Sequence, residues 1–222
     1  MRYTVALGDA ITEVPLFGAT VRDVCAALEG GAKRALRLAA EGTSDIMGHY
    51  PKGLEQGARW TLQGVEHRPT TLVLDAVPVH QVIHDHTIVA DVPASATAIS
   101  LFADGLHDAL TGDTNSELVD QGMIKSFLGL ESIVERVGAV AIRNSREDAP
   151  TLRLTKDDFD IIRTFDVSKP VARRVRVAGV LDVIKHSDGA FLIELASGRT
   201  LRGQFAERDA APLTEYWGKV VV

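Results

Sequence analysis

The order of hydrophobic patterns along this chain predicts an α+β fold. A mixed strand-and-helix domain covers residues 1–147, and a small antiparallel β-barrel-like module of SH3 or OB type covers 148–222; the module stays open if no further strand completes it. Three observations carry this expectation. Apolar residues recur three and four apart in several stretches before residue 140, the period of a helix face. After Pro170 they alternate with polar residues and are broken by Gly-containing turn signals, the period of a half-buried strand. The charge divides along the same line: residues 1–150 carry a balance of −8 and residues 151–222 a balance of +2, within a total of −6.

Taken in order, Tyr3 to Leu7 is an opening strand stopped by Gly8-Asp9. A helix follows, with Thr20 and Asp23 spaced as a capping box and Val21, Val24, Cys25, Leu28, Leu36 and Ala39 on one face. Gly42 stops it, and Gly30-Gly31 predicts a bend or a break, since each glycine costs about 1 kcal/mol relative to alanine. Residues 43–57 read as loop. Trp60 to Gly64 and Leu72 to Ala76 form a hairpin, and 78–93 are irregular. Ile99, Phe102, Ala103, Leu106 and Leu110 make a helical stripe closed by Gly112. Residues 116–137 continue as a helix weakened by Gly122 and Gly129. Ala139 to Arg143 and Thr151 to Thr155 are strands on either side of a polar turn, which sets the domain boundary. Thr155 caps a short helix over Lys156 to Phe165.

The C-terminal module reads as a meander. Val175 and Val177 lead to Gly179, a candidate bulge, after which Leu181 and Val183 continue the strand. Ser187-Asp188-Gly189 turns into Phe191, Ile193 and Leu195; Ser197-Gly198 turns again into Leu201 to Phe205. A short helix covers Pro212 to Trp217, and Lys219 to Val222 begin a fourth strand. Small barrels usually have about five strands. Either the sheet stays open, or another chain or segment completes it, or the natural chain is longer.

Composition bounds the class. At 222 residues, 45% hydrophobic and 24% charged, the chain can bury a full core. Aromatic residues are only 5%, so that core is built from Val, Leu, Ile and Ala. Cys25 is the single cysteine, which excludes an intramolecular disulfide and suits a reducing, cytoplasmic setting. No leader-like segment opens the chain and no apolar run reaches the ~20 residues of a spanning helix, so no membrane partner is expected.

Val177-Ala178-Gly179-Val180-Leu181-Asp182, then Phe191-Leu192-Ile193-Glu194-Leu195, Gly198-Arg199 and Trp217-Gly218-Lys219-Val220 form a recognisable set. This set resembles the strand-rich C-terminal part of a diffuse group of uncharacterised bacterial proteins, which join such a module to an N-terminal strand, helix and hairpin. The resemblance implies the fold and carries no activity.

Candidate chemistry is sparse. His80, His84 and His86 share strand parity, with Asp91 close behind. Imidazoles converging from one face could hold Zn or Mn; the alternative is a solvated loop. Asp157, Asp158 and Asp160 suit Mg²⁺ or, on dipole grounds, the first turn of a helix. Asp104, His107 and Asp108 sit opposite an apolar stripe and read as a solvated face. Cys25 falls on an apolar face and reads as an inert thiol. The nucleophile-elbow, P-loop and dinucleotide signatures do not occur.

Arg173, Arg174 and Arg176 form a basic strand that, with Trp217, offers a binding surface. Phosphates are one ligand for it, although the net charge of −6 disfavours nucleic acid as a partner. The function expected on this basis is a non-enzymatic protein-interaction or regulatory module, with self-association through an open sheet edge as one form. A metal-dependent hydrolase using His80, His84 and His86 and nucleic-acid binding through 173–176 are the alternatives.

Overall fold

A computed structural model describes residues 1–8, 18–44, 50, 52–66, 70–82, 92–144, 151–168, 178–185, 190–195, 198, 200–204 and 213–221. The chain divides into two compact units, Met1–Pro170 and Val171–Val222. The division falls later than the expected boundary between 147 and 148. The strand and helix after residue 150 pair and pack with the first unit, for reasons that lie in the sheet.

The first unit is one antiparallel sheet with helices against it. Its strands are β1 (Arg2–Leu7), β2 (Trp60–Glu66), β3 (Thr70–Ala76), β4 (Ala139–Asn144) and β5 (Leu152–Thr155), in the order β2-β3-β1-β4-β5. Its helices are α1 (Gly18–Glu41), α2 (Lys52–Gly57), α3 (Val79–Val82), α4 (Ala98–Thr111), α5 (Gln121–Leu128), α6 (Glu131–Val137) and α7 (Asp158–Ser168). Register decides which residues meet. Tyr3 lies opposite Leu74, Val5 opposite both Leu72 and Ile142, and Leu7 opposite Val140. Val140 and Ile142 lie opposite Leu154 and Leu152 in turn. All of these are buried and share one hydrophobic cluster with the helices, while Thr4, Val73, Asp75, Arg143 and Arg153 lie on the other face. This is apolar-in, polar-out alternation, and it assigns β5 to the first unit: Leu152 and Leu154 complete the buried rows begun in β1.

The glycine pair did not break α1, which runs 24 residues to a stop at Gly42 (φ 74°). A Cβ added to Gly31 would lie 2.3–2.7 Å from ring atoms of Phe102. Gly31 therefore lets the buried Phe102 ring lie directly on the α1 backbone, where α4 crosses it. Thr20 is inside the helix, and Asp23 pairs across with Arg136 (2.9 Å) instead of closing a capping box. That guanidinium holds the Asp23 carboxyl below its ordinary pKa.

α4 starts where its sequence stripe predicts and carries a capping box. The Thr97 hydroxyl accepts from the Ser100 N–H (3.1 Å), and the Ser100 hydroxyl accepts from the Thr97 N–H (2.9 Å). Thr97 is fully buried, and its Oγ1 lies 2.8 Å from the Tyr3 hydroxyl, which ties the helix start to β1. The long helix expected over 116–137 is two helices that meet at Gly129-Leu130. The loop-like stretch 43–57 ends in the short α2. At α7 the expected cap is reversed: Asp158 accepts from the Thr155 N–H (2.6 Å) and hydroxyl (2.7 Å).

The second unit has a four-stranded antiparallel sheet of β6 (Gly179–Lys185), β7 (Ala190–Leu195), β8 (Thr200–Gln204) and β9 (Val220–Val221), in the order β8-β7-β6-β9. Among the described residues it forms no closed barrel. The tail is part of the sheet, as its strand-forming sequence predicts. Val221 lies opposite Gly179 and Val220 opposite Val180, and the Leu181 N–H donates to the Lys219 carbonyl (3.1 Å). Pro212 lies outside the described residues. Of the short helix expected up to Trp217, the described part is a single helical step at Leu213 and Thr214 followed by turns.

Candidate functional site

The sequence places a bulge at Gly179; the structure places it between Leu181 and Val183. Gly179 pairs regularly with Leu195 and is glycine for another reason. A Cβ there would lie 2.4 Å from the Glu194 carbonyl oxygen and from Ile193 Cγ2. The extra residue at Asp182 changes the phase of the strand. Val180 opposes Glu194 and Val183 opposes Leu192, so Val180 and Val183 share a face although they are three apart. Leu181, opposite Ile193 and Leu201 on the other face, is 1% exposed. Val183, which the sequence reading places with Leu181 in one strand, is turned outward and is 43% exposed.

Trp217 sits at this bulge. Its indole N–H donates to the Asp182 carbonyl (2.6 Å), so the ring is fixed to the edge of β6 while two-thirds of its surface stays exposed. The backbone helps to hold it there: the Gly218 N–H donates to the Leu181 carbonyl (2.7 Å). Val220, directly opposite Val180, is 73% exposed, and Tyr216 is half exposed. The outer side of β6 and β9 thus presents Val180, Val183, Val220 and a fixed tryptophan. Strict alternation would put Val183 on the same face as Leu181; the bulge between them puts it on the face of Val180 instead. Trp217 is thus the one residue of the expected binding set that the structure describes, and Arg173, Arg174 and Arg176 lie outside the described residues.

The histidine cluster is described only at its first member. His80 is exposed in the helical turn α3, not on an extended strand, and its Nε2 is 3.4 Å from the Val92 carbonyl oxygen. The strand parity that would align it with His84 and His86 therefore does not hold at His80. His84, His86 and Asp91 lie outside the described residues. Among the described residues no three His, Cys, Asp or Glu side chains are grouped to hold a metal ion.

The remaining candidates have structural partners or a cleft. Asp158 is taken up by Thr155, and Asp160 pairs with Arg163 (2.9 Å), which also reaches Glu131 (2.5 Å). Partial burial raises the pKa of Cys25, which keeps it a thiol. Asp104 and His107, one turn apart on α4, stand at a small cleft that reaches Tyr3 and Leu152. Burial, and then the like charge of Asp108, raise the Asp104 pKa, while His107 acts in the opposite direction. Because Asp104 still meets solvent at the cleft mouth, this burial is partial. No helix among the described residues is long and apolar enough to cross a membrane. Compared with known proteins, the chain matches no family model, no curated protein and no solved structure.

Proposed function

We propose that this protein is a non-enzymatic interaction module whose partner protein docks on the outer face of the C-terminal sheet. The observation that carries the reading is the grouping of Val180, Val183, Val220, Tyr216 and Trp217 as exposed large hydrophobic residues within one small unit. Single exposed apolar side chains are ordinary, whereas a group with an aromatic anchor marks an interaction surface. Tryptophan and tyrosine are the residues that most often dominate interface energetics. An indole already fixed on Asp182 loses less freedom on binding than a mobile one.

The face, rather than the edge, is the docking element in this reading. β9 contributes two residues and, with Gly218 and Lys219, covers the outer edge of β6, while the exposed apolar group lies on the β6–β9 side of the sheet and away from the other edge strand, β8. We read the module as an open SH3- or OB-like sheet, because its last strand returns beside its first and a bulge coils the ribbon between them. A cytoplasmic setting suits its single, unreactive thiol. The nucleic-acid alternative rests on residues outside the described segments, and the hydrolase alternative has only His80 within them.

Quantitative cross-linking in native extract, with wild type, Trp217→Ala and Val220→Asp as baits, tests the proposal. The expected result is a stoichiometric partner on wild type that both variants lose while keeping their circular dichroism. Equal capture by all three baits, or a wild-type protein that stays monomeric and unlinked, overturns it.

A further inference from the structure

The cleft beside α4 is a second site, independent of the C-terminal sheet. Its floor is apolar, built from the Tyr3 ring, Ala103, Ile142 and Leu152, and its volume is about 80 Å³. A water's share of liquid volume is about 30 Å³, so the space takes about three waters, or the apolar tail of a ligand whose polar end stays at the mouth. The polar groups around it differ in what they have left to offer. The Ser100 hydroxyl is engaged twice at the α4 start: it accepts from the Thr97 N–H and donates to the Thr97 carbonyl, while the Ser100 backbone N–H donates to the Thr97 hydroxyl. The Tyr3 hydroxyl is paired with Thr97, and Asn144 has a partner as well. Asp104 and His107 form the mouth, and among the described residues neither side chain makes a hydrogen bond or an ion pair.

The charge at the mouth selects the ligand. Asp108 lies one turn along α4 from Asp104 and carries the same charge, with its carboxylate accepting from the Ser116 hydroxyl (2.6 Å). His107, one turn from Asp104 on the same helix, presents a ring nitrogen at the mouth. An anion would meet repulsion there, and a neutral ligand would leave the acid unpaired. A cation with N–H donors pairs with the Asp104 carboxylate and leaves a further N–H for a polar neighbour at the mouth. A permanently charged quaternary cation lacks those donors. An apolar floor behind an anionic mouth therefore calls for a short hydrocarbon tail on a protonated amine.

We propose that this cleft binds a small primary ammonium compound, with its nitrogen on Asp104 and His107 and its apolar end against Tyr3, Ile142 and Leu152. The ligand is held by one charge-assisted contact and a few methylenes, so its Kd is on the order of millimolar. That strength suits a metabolite or a side-chain-like group present at high concentration.

The test is a ¹⁵N–¹H NMR titration of the full chain with n-butylammonium, which has five heavy atoms, against 1-butanol and butyrate as neutral and anionic counterparts. The expected result is saturable shifts at amides of 103–107, 142–144 and 152 with butylammonium, and binding about tenfold or more weaker for the other two. Asp104→Asn should weaken butylammonium about tenfold while leaving the spectrum away from the cleft superimposable. Equal affinity for butanol, an undiminished Asp104→Asn titration, or no saturation below about 100 mM overturns the proposal. If Asp104→Asn disturbs the fold, the three-ligand comparison on wild type still decides.

Discussion

Gly30 and Gly31 are neighbours on one helix, and replacing each with alanine should move stability in opposite directions. Gly30 is exposed, and a Cβ there meets nothing within 4 Å. Gly30→Ala therefore gains the helix-propensity difference of about 1 kcal/mol without any packing penalty. For a unit of this size that is a rise of about 2–4 °C in Tm. Gly31→Ala gains the same propensity term but places its methyl 2.3, 2.6 and 2.7 Å from three atoms of the Phe102 ring. Phe102 is 1% exposed, and its ring centroid lies 5.3 Å from that of the buried Phe127, so the ring has little room to give. Overpacking of this kind costs about 1–3 kcal/mol, and a contact this short with a trapped ring belongs at the upper end. The net loss is then about 2 kcal/mol, a fall of about 4–8 °C. Thermal melts followed by circular dichroism at the helix band measure both. Adding Phe102→Leu to Gly31→Ala should recover part of the loss, as a coupled pair requires. If Gly31→Ala raises Tm as Gly30→Ala does, the direct seating of Phe102 on α1 is wrong.

Three further outcomes are expected. Deleting Lys219 to Val222 removes the Leu181–Lys219 bond and the β6–β9 pairing, at a cost of about 2–4 kcal/mol to the second unit. Trp217 fluorescence in a Trp60→Phe background follows it, and an unchanged urea midpoint would remove the tail from the sheet. Asp104 has a raised pKa in the folded state, so the folded protein binds its proton more tightly than the unfolded chain does. The ionised carboxyl thus lowers stability above its folded pKa, and that penalty fades as pH falls through it toward the unfolded value of about 3.9. Asp104→Asn should accordingly raise Tm at pH 7 and lose that advantage near pH 4; a constant difference at the two pH values contradicts the assigned shift. For the histidines, purification with added Zn²⁺ or Mn²⁺ followed by elemental analysis should give no stoichiometric metal, since His80 does not share strand parity with the rest. One bound ion per chain that is lost in His84→Ala would reinstate a metal site.

The sequence by itself determined the elements whose signal is local. β1, the β2–β3 hairpin, α4 with its Gly112 stop, β4, β5 and the pairing of the final valines follow from side-chain period and turn chemistry, which act over a few residues. Composition excluded a disulfide. Tertiary structure decided whatever depends on a neighbour far along the chain. Gly31 reads as a helix breaker until Phe102, from another helix, is seen against it. Asp23 reads as a cap until Arg136 arrives to pair with it. The strand and helix after residue 150 read as the start of a new domain until Leu152 and Leu154 complete rows begun by Val5 and Val140. The site was hidden for the same reason. A bulge is one extra residue measured against a partner strand, so Asp182 is extra only because Leu181 opposes Ile193 and Val183 opposes Leu192. That single slip of phase turns Val183 from the core to the surface beside Trp217. No pattern within one strand records it, because register is a relation between strands.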